Sequence, residues 1–118
     1  LLEMWTFACI NCKNVIPSLK DWHAAYSDQG LVIVANHYPE FDFEKDLDNL
    51  RKAIADQDIR YPVAQDNEGE TWQAYDNRFW PTLYLIDKNG RIRYTHIGEG
   101  NYQRTELAIQ ELLAEPYP

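Results

Sequence analysis

The chain has 118 residues, 45% of them hydrophobic, which suits one globular domain able to bury a working core without cross-links. Nineteen acidic residues against eleven basic ones give a formal net charge of −8, a field that repels nucleic-acid phosphates and anionic lipid, so neither is an expected partner. Aliphatic runs such as Leu31-Val32-Ile33-Val34-Ala35 are far too short to cross a bilayer, and the N-terminus has neither a basic stretch nor a cleavage pattern. The start at Leu1, already inside an apolar stretch, reads as a piece cut from a longer precursor.

Residues 1–5 read as a short strand whose near-continuous apolarity predicts burial on both faces, as in the middle of a mainly parallel sheet. Glu3 breaks the pattern. An unpaired carboxylate there is either held neutral with a raised pKa, and then a proton carrier, or the strand is shallow and Glu3 points to solvent. Trp5-Thr6-Phe7-Ala8-Cys9-Ile10-Asn11-Cys12 follows, with the only two cysteines placed where the strand gives way to a helix. The unpartnered N–H groups of a helix start stabilise a thiolate, so Cys9 at the mouth is the expected attacker and Cys12, one turn inside, the resolving thiol. A zinc half-site and two inert buried cysteines are the alternatives. His23, His37 and His96 are scattered rather than paired at ligand spacing, which favours a redox dithiol.

Val15, Ile16, Leu19, Trp22 and Tyr26 then recur at helical spacing over residues 13–27, with Pro17 inside the helix and Gly30 suited to its left-handed cap. A second buried strand is expected at 31–36, joined by a right-handed parallel crossover. His37 to Glu40 is read as a turn and His37 as a surface loop histidine. A helix over residues 42–58 is predicted to bury Phe43, Leu47, Leu50 and Ile54. Tyr61 to Ala64 is a short extended piece that Pro62 keeps from a fully paired inner position, and Trp72 and Tyr75 sit on a short helix after the turn at 66–69. Phe79-Trp80-Pro81-Thr82 leads into a strand ending at Ile86, and its proline is a candidate cis peptide. Lys88-Asn89-Gly90 turns the chain into an antiparallel strand with Ile92, Tyr94 and His96 on one face. A last helix near 102–114 carries Leu107, Ile109, Leu112 and Leu113 before Pro116.

The order β-α-β-α-(short β, short α)-β-β-α, with Cys-x-x-Cys after the first strand and x-Pro-Thr entering the third main one, resembles the thioredoxin fold over nearly the whole chain. That implies an α/β domain in which a central mixed sheet is flanked by helices, with a short strand-helix insertion between the second and third main strands. Within the resemblance Cys9 matches the attacking cysteine, Cys12 the resolving one, and Pro81 the cis-proline facing the disulfide. Pro17 matches the helix-kinking proline, and Glu3 matches the buried acid that moves protons for the resolving thiol. The insertion and the run Leu85 to Gly90 resemble the TlpA/ResA-like branch. The Trp-Thr-x-x-Cys-Ile-Asn-Cys pattern and Trp80 resemble the thioredoxin-like domains of DipZ-like proteins, which are fused to membrane electron carriers. Departures are Ala8 in place of the Trp common before the first cysteine, Val15 in place of an acidic residue, and Ile10-Asn11 in place of Gly-Pro. The N-terminal strands usual in the family are absent.

The expected activity is thiol–disulfide exchange with extracytoplasmic protein substrates, catalysed by Cys9, Cys12 and Glu3. Trp80, Pro81 and Thr82 are the expected substrate-binding residues, Trp80 being either an apolar platform or core. No organic cofactor is implied, because the dithiol carries the electrons. The expected partners are protein thiols or disulfides and a redox partner such as a membrane electron carrier, in a periplasmic or envelope setting with a membrane tether elsewhere in the chain. The rival reading is a thioredoxin-like module that only docks a partner polypeptide.

Overall fold

A computed structural model describes residues 1–118. Its sheet is built on β1 (Leu2–Trp5), which pairs in parallel with β2 (Val34–His37) on one side. On the other side β1 pairs antiparallel with β4 (Thr82–Ile86). Outside β2 lies the parallel β3 (Val63–Gln65), and outside β4 the antiparallel β5 (Ile92–Ile97). The spatial order β3-β2-β1-β4-β5 puts the cysteine-bearing strand at the centre. Its end therefore points at the switch between the parallel and antiparallel halves, where α/β sheets build their sites.

Alternation along the strands sends side chains to two unequal layers. On one face α1 (Ile10–Tyr26), α2 (Leu47–Asp56) and α4 (Tyr102–Ala114) cover the sheet. Val15, Leu19 and Trp22 of α1, Leu50 of α2 and Ile109 of α4 pack there with Trp5, Ile33, Ala35 and Leu83. On the other face the five-residue α3 (Glu70–Ala74) supplies Trp72 against Met4 and Tyr84. Asp66 anchors α3. Its carboxylate accepts the N–H groups of Thr71 at 3.2 Å and Trp72 at 2.9 Å, and the Asn36 amide of β2 at 3.0 Å. Gly69 is required beside it, since φ is +71° and an added Cβ would lie 2.8 Å from the Tyr38 ring.

The helix expected over 42–58 is split. Residues Asp42–Lys45 form a 3-10 turn, Asp46 takes an extended conformation with ψ 124°, and its carboxylate caps α2 by accepting the Asn49 N–H at 3.0 Å. An Asp at a cap competes with helix continuation, and here it resets the phase. Leu50 is core, but Phe43 and Leu47 are exposed and Glu44 is wholly buried instead. His37 is not on a surface loop either. It ends β2, paired with Trp5, and is completely buried. On β5, Tyr94 and His96 are half-buried while Ile92 is exposed, and on α4 Leu107 is exposed while Thr105 and Ala108 are buried. Helix α1 runs unbroken through Pro17.

Candidate active site

The site starts from a local rule: a residue at a helix N-cap can accept an N–H from the first turn. Cys9 is that cap for α1, in an extended conformation (φ −82°, ψ 120°), and its Sγ accepts the Cys12 N–H at 3.2 Å. The first helical N–H groups thus face a sulfur. Both thiols are free, Cys9 half-buried and Cys12 with no exposure at all. One sulfur is within reach of a partner molecule and the other lies behind it.

Beneath them lies Glu3, 0% exposed, with neither carboxylate oxygen hydrogen-bonded. Burial alone drives its pKa from 4.5 up to about 8, so at pH 7 the group is mainly a neutral acid. Burial also pushes the Cys12 thiol up, followed by its contact with Cys9 and the nearby charges of Cys9 and Glu3, while a Thr6 backbone contact pulls the other way. Cys12 and Glu3 therefore do not ionise together: a proton lost by one is favourably taken by the other. No group of three or more His, Cys, Asp or Glu side chains is arranged to hold a metal ion.

Residues missed by the sequence reading hold the loop before Cys9. The Glu44 carboxylate accepts the Thr6 hydroxyl and the Ala8 N–H (3.0 Å) on one oxygen, and the N–H groups of Glu40 (3.0 Å) and Phe41 (2.8 Å) on the other. Burial would raise its pKa, but the hydrogen bonds from Thr6 and from three backbone amides outweigh it and keep the group below the usual carboxylate range. His37 completes the clamp: its Nε2 accepts the Phe7 N–H at 3.2 Å, with the Thr6 hydroxyl oxygen 3.3 Å away, and its ring stacks on Phe7. Burial lowers the His37 pKa to about 4, against the pull of the Glu44 charge, so the ring is neutral at pH 7. Only the out-of-place Asp46, a cap signal four residues into the expected helix, marked this region in sequence.

The second loop enters β4 through a cis Trp80-Pro81 bond. Register places it beside the end of β1, since Met4 pairs with Thr82. The loop is held from behind by aromatic packing: Trp80 lies 4.5 Å from Trp72 and 5.9 Å from Tyr38 between ring centroids, and its Nε1 donates to the Tyr38 carbonyl at 2.9 Å. Trp80 is thus half-buried and pinned, while neighbouring Phe79 is exposed. Thr82 is buried inside the sheet, its hydroxyl donating to the Phe79 carbonyl at 2.7 Å, and Gly98 N–H donates to the Pro81 carbonyl at 2.8 Å. The Trp80 N–H and carbonyl have no protein partner, and neither do the Phe79 N–H and the Arg78 backbone groups before them.

A central mixed sheet covered by helices, with a dithiol at a helix start beside a cis-proline loop, is the architecture of thioredoxin-like proteins. Superposition agrees: a thiol-disulfide isomerase from Corynebacterium glutamicum matches with a TM-score of 0.87 and 25% identity, over 98% of this chain and 80% of that one. The model of the AhpC/TSA family matches residues 1–95, and the chain belongs to that family. Protein DipZ of Mycobacterium bovis is 43% identical over all 118 residues, which make up 17% of its length. The thiol-disulfide oxidoreductase YkuV of Bacillus subtilis is 29% identical over 98% of this chain and 77% of its own. The DipZ-like and thioredoxin-like resemblances of the sequence hold. The chain spans about a sixth of the first of these relatives.

Proposed function

We propose that the chain is a thiol–disulfide oxidoreductase acting on protein substrates through Cys9 and Cys12. In the reducing direction the Cys9 thiolate attacks one sulfur of a substrate disulfide, breaking the S–S bond and releasing the other sulfur as a thiolate. Glu3 in its carboxylate form takes the Cys12 proton. Cys12 then attacks the Cys9 sulfur, forming the Cys9–Cys12 disulfide and expelling the reduced substrate. Two electrons pass from the dithiol to the substrate, so no organic cofactor is needed. The reverse sequence oxidises a dithiol.

The observation that carries this reading is the arrangement of one half-exposed sulfur accepting a helix N–H, one buried thiol behind it, and an unpartnered buried carboxyl. Relatives named as thiol-disulfide oxidoreductases support it. The free Trp80 backbone beside Pro81, rather than that of Thr82, is the edge offered to an extended substrate segment. An extracytoplasmic setting, a tether elsewhere in the full-length protein and a membrane electron carrier as redox partner belong to the same proposal and rest on the likeness to DipZ-like proteins. No helix of this chain is long and apolar enough to cross a membrane.

The test is equilibration in graded glutathione buffers followed by thiol trapping and mass measurement, with Cys12→Ser challenged by a disulfide-bonded peptide. An intramolecular disulfide in the parent and a stable mixed disulfide on Cys9 of the variant are expected. If no intramolecular disulfide forms at any ratio, the enzymatic reading fails and a docking role replaces it.

A further inference from the structure

Glu3 presents a difficulty that the dithiol alone does not solve. Each catalytic cycle loads and unloads its proton, yet Glu3 has no exposure, Cys12 above it has none, and a substrate joined to Cys9 covers the remaining way out. Buried polar groups ordinarily have partners, so those without one mark places where something passes or binds. The protein has seven buried side-chain polar atoms lacking a partner. Four of them are the two Glu3 oxygens, the Tyr61 hydroxyl and His23 Nδ1.

The groups that carry these atoms follow one another between the sheet and α1. Glu3 pairs across the sheet with Ala35, and Ala35 with Val63, so all three side chains share the helix-covered face. Tyr61 is two residues before Val63, on that same face, and is 3% exposed in the same core cluster. Ala35, between Glu3 and the Tyr61 strand, contributes only a methyl group and leaves room for the phenol. The two are near enough for the Glu3 charge to raise the Tyr61 pKa beyond what burial does. From Tyr61 the series continues to His23 in the last turns of α1, ring centroids 6.1 Å apart. His23 and Tyr61 both line a cavity of about 260 Å³ that Lys20, Asp21, Asp58 and Arg60 complete at the surface. At about 1.5 Å per helical residue, His23 lies about 20 Å along α1 from the cysteine end.

We propose that Tyr61 and His23 are the proton outlet of Glu3, joining it to solvent through this cavity on a flank away from the disulfide-exchange face. The inference rests on the reading of Glu3 as the proton carrier for Cys12. The Tyr61 hydroxyl accepts the Glu3 proton on its oxygen as it gives its own toward a His23 ring nitrogen, which passes one to solvent, so Glu3 ends as the carboxylate and Tyr61 and His23 keep their number of protons. Each gap exceeds a direct hydrogen bond and is crossed through water. Neither residue touches substrate; both act through Glu3. The ionisable groups facing the series are Cys12 above Glu3, and Lys20, Asp21, Asp58 and Arg60 around His23.

The test is the rate at which a mixed disulfide between Cys9 and a disulfide-bonded peptide collapses in a single turnover, from pH 6 to 9 in water and in deuterium oxide. Tyr61→Phe deletes a hydroxyl that bonds nothing in the fold, so its unfolding midpoint should not fall. The variant is expected to slow the collapse roughly tenfold with a larger solvent isotope effect. His23→Ala should slow it similarly and recover with added imidazole, saturably, as imidazole occupies the cavity; Tyr61→Phe should not recover. Parent-like rates in both variants would overturn the outlet. Glu3→Gln separates the two readings: if it alone changes the pH profile, Glu3 stands and the outlet fails. If it also leaves the profile unchanged, the Glu3 reading itself falls.

Discussion

Two carboxylates in this molecule are wholly withdrawn from water, and their surroundings could hardly differ more. Glu44 accepts four hydrogen bonds, three of them from backbone amides, and stays ionised; Glu3 accepts none and is a neutral acid with a pKa of about 8. Neither is exposed to solvent, but Glu3 lies deeper in the core, so depth of burial and the supply of donors together decide the charge. Glu44 lies where two chain segments must be joined, the loop before Cys9 and the turn at 40–44, and both bring unpaired amides to it. Glu3 projects from a central strand, where backbone groups are already used by neighbouring strands. One carboxylate is a fixed fastening for the active-site loop; the other is free to change its protonation state under the sulfurs.

Removing each carboxylate should therefore move stability in opposite directions. Glu44→Ala strands the Thr6 hydroxyl and the amides of Ala8, Glu40 and Phe41, and should cost about 3–5 kcal/mol in urea denaturation at pH 7. A loss below about 1 kcal/mol would show that those donors find water and that the fastening is dispensable. Glu3→Gln should instead stabilise at alkaline pH. Because the folded pKa of about 8 lies above the ordinary 4.5, the native state holds a proton that the unfolded chain releases, and stability declines as pH rises from about 4.5 to 8. The full decline is on the order of 3–5 kcal/mol, and the variant should lack it when denaturation curves are compared across that range. A parent whose stability is flat from pH 5 to 8 would remove the contrast between the two groups.

A smaller effect tests the other half of the clamp. His37 has a folded pKa of about 4, below the ordinary 6.5, so stability should be lost as pH falls through that interval, by roughly 3 kcal/mol. His37→Gln keeps an acceptor for the Phe7 N–H and should erase this acid limb while leaving stability at pH 7 within about 1 kcal/mol. An unchanged acid limb in the variant would assign it to other groups.

What could be read in advance differed between the two carboxylates for the same reason. Glu3 is conspicuous in sequence because it interrupts an apolar strand, a signal contained in five residues. Glu44 is inconspicuous because it sits among charges, and its partners Thr6 and Ala8 are 38 and 36 residues away. A continuous helix over 42–58 put Phe43 inside and left Glu44 outside; the break at Asp46 reversed both. Thr82, expected at the substrate, is consumed by the sheet, and Trp80 keeps its backbone free because β4 begins two positions later.

Local chemistry is what the amino-acid order determined by itself: the cysteine at a helix cap, the anomaly of a lone carboxylate in an apolar strand, the proline at a strand entrance and the order of elements. Each depends on neighbours within a turn or a strand. Only the tertiary structure decided which buried groups acquired donors, because those donors arrive from segments far apart in the chain. The clamp of Thr6, His37 and Glu44 and the series from Glu3 to Tyr61 and His23 exist only once β1, β2, β3 and α1 are packed together.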